Sequence, residues 1–247
     1  MSSYDALAGA YDALMQDADY GKRADYLQRQ FQKSRIPVQT VLDLACGTGT
    51  IACLLTQKGY QVIATDGSED MLTQAMCKAE ALAHPPLFLH QPMPRLRLLE
   101  PVDAVVSTLD SLNYLTAVKD LQETFRRVCR WLKPGGAFLF DVNSPEKLRG
   151  MDDGLWIDET EDSYCVWRTE FSRRTQICSY FVDLFRLRPD GAWERDFEVH
   201  REKAWETADL RGYLAEAGFS KVSVWGDLKC SPPKAGEKRL IFRCEKQ

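Results

Sequence analysis

Residues 41–50 read V-L-D-L-A-C-G-T-G-T, and the reading of that run decides the fold. An apolar, strand-like start carries one carboxylate, Asp43, and runs into Ala45, Cys46, Gly47, Thr48 and Gly49. Residues this small leave little to hold a ligand away from the backbone. An apolar helical pattern follows at once through Ile51, Leu54 and Leu55. A strand, a tight turn and a helix start bring free backbone N–H groups and the positive end of a helix dipole to one spot. A second strand-like run from Val62 ends in Asp66, 19 positions beyond Gly47. The pair reads as a nucleoside-binding device, in which the turn takes the polar tail and the acid takes the ribose hydroxyls.

Outward from this unit, strand and helix patterns alternate. Gly59 is placed to end the first helix as a left-handed cap. Ser68 is placed to cap the second, whose apolar face is Met71, Leu72, Ala75, Met76, Ala79 and Leu82. Pro85 and Pro86 stop that helix ahead of a short third strand, 87–90, and 102–107 is an apolar fourth. Thr116 is the expected cap of the next helix, 134–136 (P-G-G) a turn, and 137–142 a fifth strand. Such alternation predicts a doubly wound α/β fold of parallel strands with right-handed crossovers, the ligand lying beyond their carboxyl ends. Ahead of the sheet, residues 1–36 are amphipathic and helical in pattern. Tyr11 and Tyr20 there are candidates to cover the ligand, the alternative being simple packing.

The rhythm changes after Asn143. Residues 151–205 carry four of the six tryptophans and alternate like strands, with a hairpin turn at 188–191 (R-P-D-G). In 193–200, Trp193, Phe197 and Val199 take odd positions, while Glu194, Asp196, Glu198 and His200 take even ones. This predicts an antiparallel β insertion, apolar on one face, lying over the carboxyl edge of the sheet as a lid or substrate platform. A sheet through which two copies form a homodimer is the alternative. Helical pattern returns at 207–217, and strands at 219–226 and 238–244 complete the main domain. The expected organisation is therefore 1–150 with 206–247, interrupted by 151–205.

Composition narrows the function classes. With 32 basic and 36 acidic residues the net charge is -4, so no overall field draws the chain to nucleic acid or to an anionic membrane. The eight cysteines form no C-x-x-C pair, and with three histidines they argue against a zinc site. No apolar run approaches the ~20 residues of a membrane-spanning helix, and the N-terminus lacks a basic signal-peptide start. A reduced, cytoplasmic setting is expected.

The glycine turn alone leaves two ligand classes open. Gly47-x-Gly49-x-x-Ala52 satisfies the dinucleotide fingerprint formally, with Asp66 at a suitable distance. Against a nicotinamide dinucleotide stands Asp43, a carboxylate just behind the turn where a pyrophosphate would lie and where an ammonium or sulfonium fits better. The chain also lacks a second sequential βαβαβ half.

Four motifs in order settle the comparison: V-L-D-L-A-C-G-T-G-T, V-I-A-T-D-G-S-E-D-M-L, V-D-A-V-V-S-T-L-D-S-L-N-Y-L and L-K-P-G-G-A-F-L-F-D-V-N. Together they resemble the successive motifs of the class I, seven-stranded S-adenosylmethionine-dependent methyltransferases. The ending L-A-E-A-G-F followed by two strands is similar to that family too, and the opening Y-D-A-L-A-G-A-Y-D-A-L-M is similar to its small-molecule branch. The resemblance implies that Asp43 helps fix the methionine amine and that the 45–49 turn, with Cys46, Gly47 and Gly49, hugs the methionine part. It implies that Asp66 accepts the ribose hydroxyls and that Gly67, Ser68 and Met71 border the adenine. Gln91, Pro92 and Met93 would meet the adenine edge, and Leu109 the methyl end. Asp43 as a buried structural acid and Asp66 as a mere helix cap are the competing readings.

Two positions depart from the family pattern. Ala45 replaces the usual first glycine of the turn, which a negative φ would accommodate. Gln91 stands where an acid is frequent. On the acceptor side, Asp110, Asn113 and Tyr114 are the candidate catalytic residues, with Asp141, Asn143 and His200 behind them. His200 is expected to be an ordinary polar-face histidine, Asp110 is equally placed to cap a turn, and Asn113 to brace a loop. The N-P-P-Y run of base and glutamine methylation is absent after the fourth strand, where 108–111 read T-L-D-S. The expected activity is methyl transfer to N or O of a small molecule. RNA or protein methylation is the rival on the same fold, and an NAD(P)-dependent oxidoreductase the rival outside it.

Overall fold

The computed structural model describes residues 19–247. Tyr11, a candidate to cover the ligand, and the helical pattern of residues 1–18 lie outside that range. Its first element is α1 (Tyr20–Phe31). Strands and helices then alternate: β1 (Thr40–Leu44), α2 (Thr50–Gln57), β2 (Gln61–Asp66), α3 (Glu69–Ala79), β3 (Leu87–His90), β4 (Val102–Ser107), α4 (Val118–Trp131) and β5 (Leu132–Asn143). A short helix α5 (Pro145–Arg149) leads into β6 (Gly154–Glu159), β7 (Ser163–Ser172), β8 (Ile177–Leu187) and β9 (Trp193–Lys203). Helix α6 (Thr207–Ala217), β10 (Phe219–Gly226) and β11 (Arg239–Lys246) follow.

Two sheets result. The seven-stranded sheet runs β10-β11-β5-β4-β1-β2-β3, with β1 to β5 parallel. β11 alone runs antiparallel to the other six strands. Strand order reverses beside β1, whose neighbours are β2 and β4, so the 45–49 turn opens at a topological switch point. One face of the sheet packs Phe125 of α4 and Leu210 and Leu214 of α6 on Phe138, Phe140 and Phe242; the other packs Leu27 and Phe31 of α1 with Ile51 and Leu55 of α2. Helices on both faces explain why β4 is buried along its whole length.

Ser68 caps α3, its hydroxyl accepting from the Met71 amide at 3.3 Å. Thr116 does not cap α4; the cap position falls on Ala117, with no side-chain bond to the helix. The 134–136 stretch is no separate turn either, since β5 starts at Leu132 and absorbs Gly135 at a φ of +79°.

The second sheet, β6-β7-β8-β9, is antiparallel throughout. Here the structure reverses the reading of β9. Asp196, Glu198 and His200 point inward, while Trp193 and Phe197 are 51% and 47% exposed. Register dictates this. On β8 the buried apolar positions are Cys178, Tyr180, Val182 and Leu184, and their direct partners are Glu202, His200, Glu198 and Asp196. Directly opposed residues share a face, so the apolar face of β8 carries the even side chains of β9 inward with it. Those polar groups find partners there: Arg186 for Asp196, His200 for Glu198 at 3.0 Å, and Asn143 for Glu202 at 2.7 Å.

Candidate functional site

A cavity of about 460 Å³ opens at the carboxyl ends of β1, β2 and β4. Its floor is the 45–49 turn. The Cys46 amide donates to the Thr65 carbonyl at 2.9 Å, and the Gly49 amide to the Cys46 carbonyl at 3.0 Å. Gly47 has a φ of +54° and nothing within 4 Å of where a Cβ would stand, so its backbone lies open to an approaching group. Gly49, at φ +72°, is required for packing, because a Cβ there would sit 2.8 Å from that of Ala75 on α3.

Ala45 corrects an expectation. Its φ is +59°, in the left-handed region, not negative. A residue with a Cβ is strained by about 1–2 kcal/mol in that conformation, and the fold imposes it here because Ala45 joins β1 to the turn. Replacing Ala45 with glycine should therefore stabilise the protein by about 1 kcal/mol, raising the melting temperature by about 2–4 °C. Differential scanning calorimetry checks this, and an unchanged or lower transition would show that no strain resides there.

Asp66 ends β2 and lines the cavity. Its two oxygens accept from the Gly47 amide at 2.8 Å and the Ser68 amide at 2.9 Å, tying β2 to the turn. Each oxygen keeps a lone pair, so capping and ligand binding are compatible roles. Burial holds this carboxyl above its usual range, against the pull of the Ser68, Gly47 and Gly67 amides.

Asp43 lies behind the turn and does not line the cavity. It is 1% exposed, and neither oxygen makes a well-formed hydrogen bond. Burial, then the nearby Asp66 charge, push its carboxyl up to about 7, with only the Ala52 amide opposing. A buried carboxylate without a partner is costly unless a cation arrives.

Of the other expected ligand contacts, Gly67, Ser68, Met71, Pro92, Met93 and Leu109 line the cavity. Gln91 is a correction. It accepts from the Arg97 amide at 2.7 Å and donates to the Arg97 carbonyl at 3.1 Å, closing the 91–97 loop instead of facing the ligand space.

The three candidate catalytic residues separate. Asp110 is bound to Arg239 at 2.6 Å, a paired acid and not a free base. Asn113 is fully buried; its amide donates to the Lys203 carbonyl at 2.9 Å and accepts from the Asn143 amide at 3.0 Å. That bracing ties the end of β9 to the main sheet. Only Tyr114 lines the cavity. His200, expected on a solvent-facing strand surface, is 1% exposed and stacks edge-on to Tyr114 with ring centres 6.1 Å apart.

One builder of the site, Arg239, escaped the sequence reading, and Asp141 serves in another role than that of a base. Leu109 and Asp110 both sit at positive φ, +58° and +56°. Asp141 holds this strained pair by accepting from their amides at 2.9 and 3.2 Å. Burial opposes its charge, yet Arg239 and Arg23 keep its carboxyl below the usual range. The loop that closes the cavity beyond β4 thus depends on Arg239 of β11, a partner that no local pattern reveals.

Charge on the lining is uneven. Among the described lining residues, Asp66 is the one acid and Arg201 the one base. The turn end, with Asp66 on its wall and Asp43 beneath, is built for a cation and repels a pyrophosphate.

Comparison with known proteins agrees with this chemistry. Residues 41–136 match the family model described as a methyltransferase domain. YqeM of Bacillus subtilis (strain 168), whose name gives a methyltransferase and no substrate, is 35% identical over 246 residues, covering 98% of this chain and 97% of its own. The dTDP-3-amino-3,4,6-trideoxy-alpha-D-glucopyranose N,N-dimethyltransferase of Streptomyces venezuelae is 33% identical, covering 86% and 89%. Among solved structures, an S-adenosylmethionine-dependent methyltransferase from Clostridium acetobutylicum ATCC 824 superposes with a TM-score of 0.88 at 26% identity, covering 98% of each chain.

Proposed function

The chain belongs to the S-adenosylmethionine-dependent methyltransferases, and from that premise we propose that it transfers the methyl group to nitrogen or oxygen of a small-molecule acceptor. The observation that carries this reading is the orphaned, buried carboxylate of Asp43 directly behind a turn whose cavity wall holds Asp66. Together they supply the negative charge that a sulfonium nucleoside with a free amine requires. When bound, S-adenosylmethionine supplies an electrophilic methyl on positive sulfur.

The chain's own residues then have three tasks. The 45–49 turn, with the Asp43 charge behind it, holds the amino-acid end, and Asp66 holds the ribose. Gly67, Ser68 and Met71, with Pro92 and Met93, enclose the base. Leu109, Ser111 and Tyr114 shape the space where the acceptor must approach in line. Orientation of that kind supplies roughly 7–11 kcal/mol of the barrier reduction. Tyr114 is the one candidate from the sequence trio placed to touch the acceptor; Asp110 and Asn113 position the loop and the second sheet.

The acceptor class follows from the wall. A cavity of about 460 Å³ with one lining cation suits a metabolite, not a nucleic-acid strand tracked by a basic groove. The relative from Streptomyces venezuelae acts, by its name, on an amino sugar nucleotide, which favours a nitrogen acceptor. Among the described residues no helix is long and apolar enough to cross a membrane. We place the enzyme in the cytoplasm, with the β6–β9 sheet as lid or substrate platform.

The test is a thermal-shift comparison followed by a tritiated-methyl screen of metabolite and tRNA pools. S-adenosylhomocysteine should raise the melting temperature by several degrees and NAD should not. Label should enter a small-molecule fraction; label in tRNA instead would overturn the acceptor assignment.

A further inference from the structure

Arg201 sits on the acceptor side of the cavity with no acid of its own. It lines the cavity with Val199, the two flanking His200, whose ring meets that of Tyr114. On its face of the β6–β9 sheet, its cross-strand partner is Ser179, and the diagonal positions are Ile177 and Phe181. Two residues along the strand stand Val199 and Lys203, so no carboxylate adjoins it in the register. Of the acids further off on that face, Glu170 lies beyond Ser179 on β7, a full strand away from β9, and Asp183 already holds Arg168 at 3.0 Å and Arg195. Glu198 and Glu202 project through the opposite face. Arg186, Arg188 and Arg195 elsewhere on these strands and their turn each have a carboxylate partner. Arg201 has no ion pair among the described residues.

A guanidinium on a cavity wall, away from internal acids, is matched by an oxyanion in bidentate geometry. The polarity of the cavity makes the same point. Negative charge is concentrated at the turn, and the acceptor end carries a single positive side chain. An acceptor whose only charge were an ammonium would meet repulsion at Arg201 and find no acid lining that end. An acceptor bearing a carboxylate or phosphate would be drawn in by its anionic group and held with the opposite end toward Tyr114.

We infer that Arg201 is a specificity-determining residue that binds an anionic group, carboxylate or phosphate, on the methyl acceptor. This rests on the methyltransferase reading of the cavity and names the acceptor's chemistry within it.

The test uses the whole chain saturated with S-adenosylhomocysteine and titrated calorimetrically with sodium acetate, inorganic phosphate and inorganic pyrophosphate, at constant ionic strength set by sodium chloride. At least one of these anions should bind, and Arg201→Gln should weaken that binding tenfold or more, with Arg201→Lys intermediate. Acetate winning over the phosphates would assign a carboxylate, and the reverse a phosphate. In both variants the affinity for S-adenosylhomocysteine should stay within about twofold of the parent, which confirms folding. Anion binding that is absent from the parent, or equal in Arg201→Gln, overturns the inference. If S-adenosylhomocysteine itself fails to bind the parent, it is the donor reading that falls.

Discussion

Replacing Asp66 with alanine should weaken S-adenosylhomocysteine binding by about 100-fold or more and erase its thermal shift. Two effects combine. The ribose loses a carboxylate able to accept two charge-assisted hydrogen bonds, each worth about 1.5–3 kcal/mol. The Gly47 and Ser68 amides also lose their common acceptor, so the turn is no longer fastened to β2. Asp66→Asn separates these contributions. Its one carbonyl oxygen preserves a single acceptor near the turn, and its amide nitrogen offers the ribose a donor in place of a charge. Binding by Asp66→Asn should fall between parent and Asp66→Ala. Calorimetry gives the three affinities, and circular dichroism confirms that the variants are folded. An Asp66→Ala protein that binds like the parent would leave the acid a helix cap and nothing more.

The sequence revealed what is local. The run from β1 through the turn into α2 is written in adjacent residues. So are the Ser68 cap and the all-apolar β4, because strand and helix periods and caps depend on neighbours a few positions apart. The seven-stranded, mostly parallel sheet with an antiparallel insertion follows from that alternation, and the structure agrees. What stayed hidden is nonlocal. Arg239 reaches the Asp141 carboxylate from 98 positions away, and only the folded sheet brings β11 beside β5. The same holds for Asn113, whose amide reaches Lys203 across 90 positions.

The errors have a common physical source as well. The inward turn of Asp196, Glu198 and His200 is set by pairing with β8, since register couples two strands and neither pattern alone decides the face. The connection between β1 and the turn dictates the positive φ of Ala45, and the identity of the residue does not encode it. Gln91 follows β3 directly, yet the backbone of Arg97, six residues on, takes both ends of its amide. Around the cavity, Gly47, Asp66, Gly67, Ser68 and Met71 line the space, while Asp43 and Gln91 do not. The acceptor wall is supplied by the insertion, through Val199 and Arg201, where no motif pointed.

Asp43 should show opposite changes in stability and in binding when it is made neutral. Its carboxyl is raised to about 7 by burial and by Asp66, so between about pH 4 and pH 7 the folded chain keeps a proton that the unfolded chain has released. The group's contribution to stability therefore falls as pH rises through that window and stays low above it. Asp43→Asn removes this dependence. Without ligand at pH 8, the variant should melt several degrees above the parent, about 2–4 °C for each kcal/mol of charge burial relieved. A cationic ligand reverses the balance, because the methionine ammonium stabilises the carboxylate and drives its proton off. Parent affinity for S-adenosylhomocysteine should rise between pH 6 and pH 8. Titrations near pH 7 in buffers of different ionisation enthalpy should report release of part of a proton. In Asp43→Asn the proton release should vanish and the affinity should fall by tenfold or more. A structural acid held by backbone amides predicts the reverse: a lower melting temperature in the variant, with ligand binding and its proton balance unchanged.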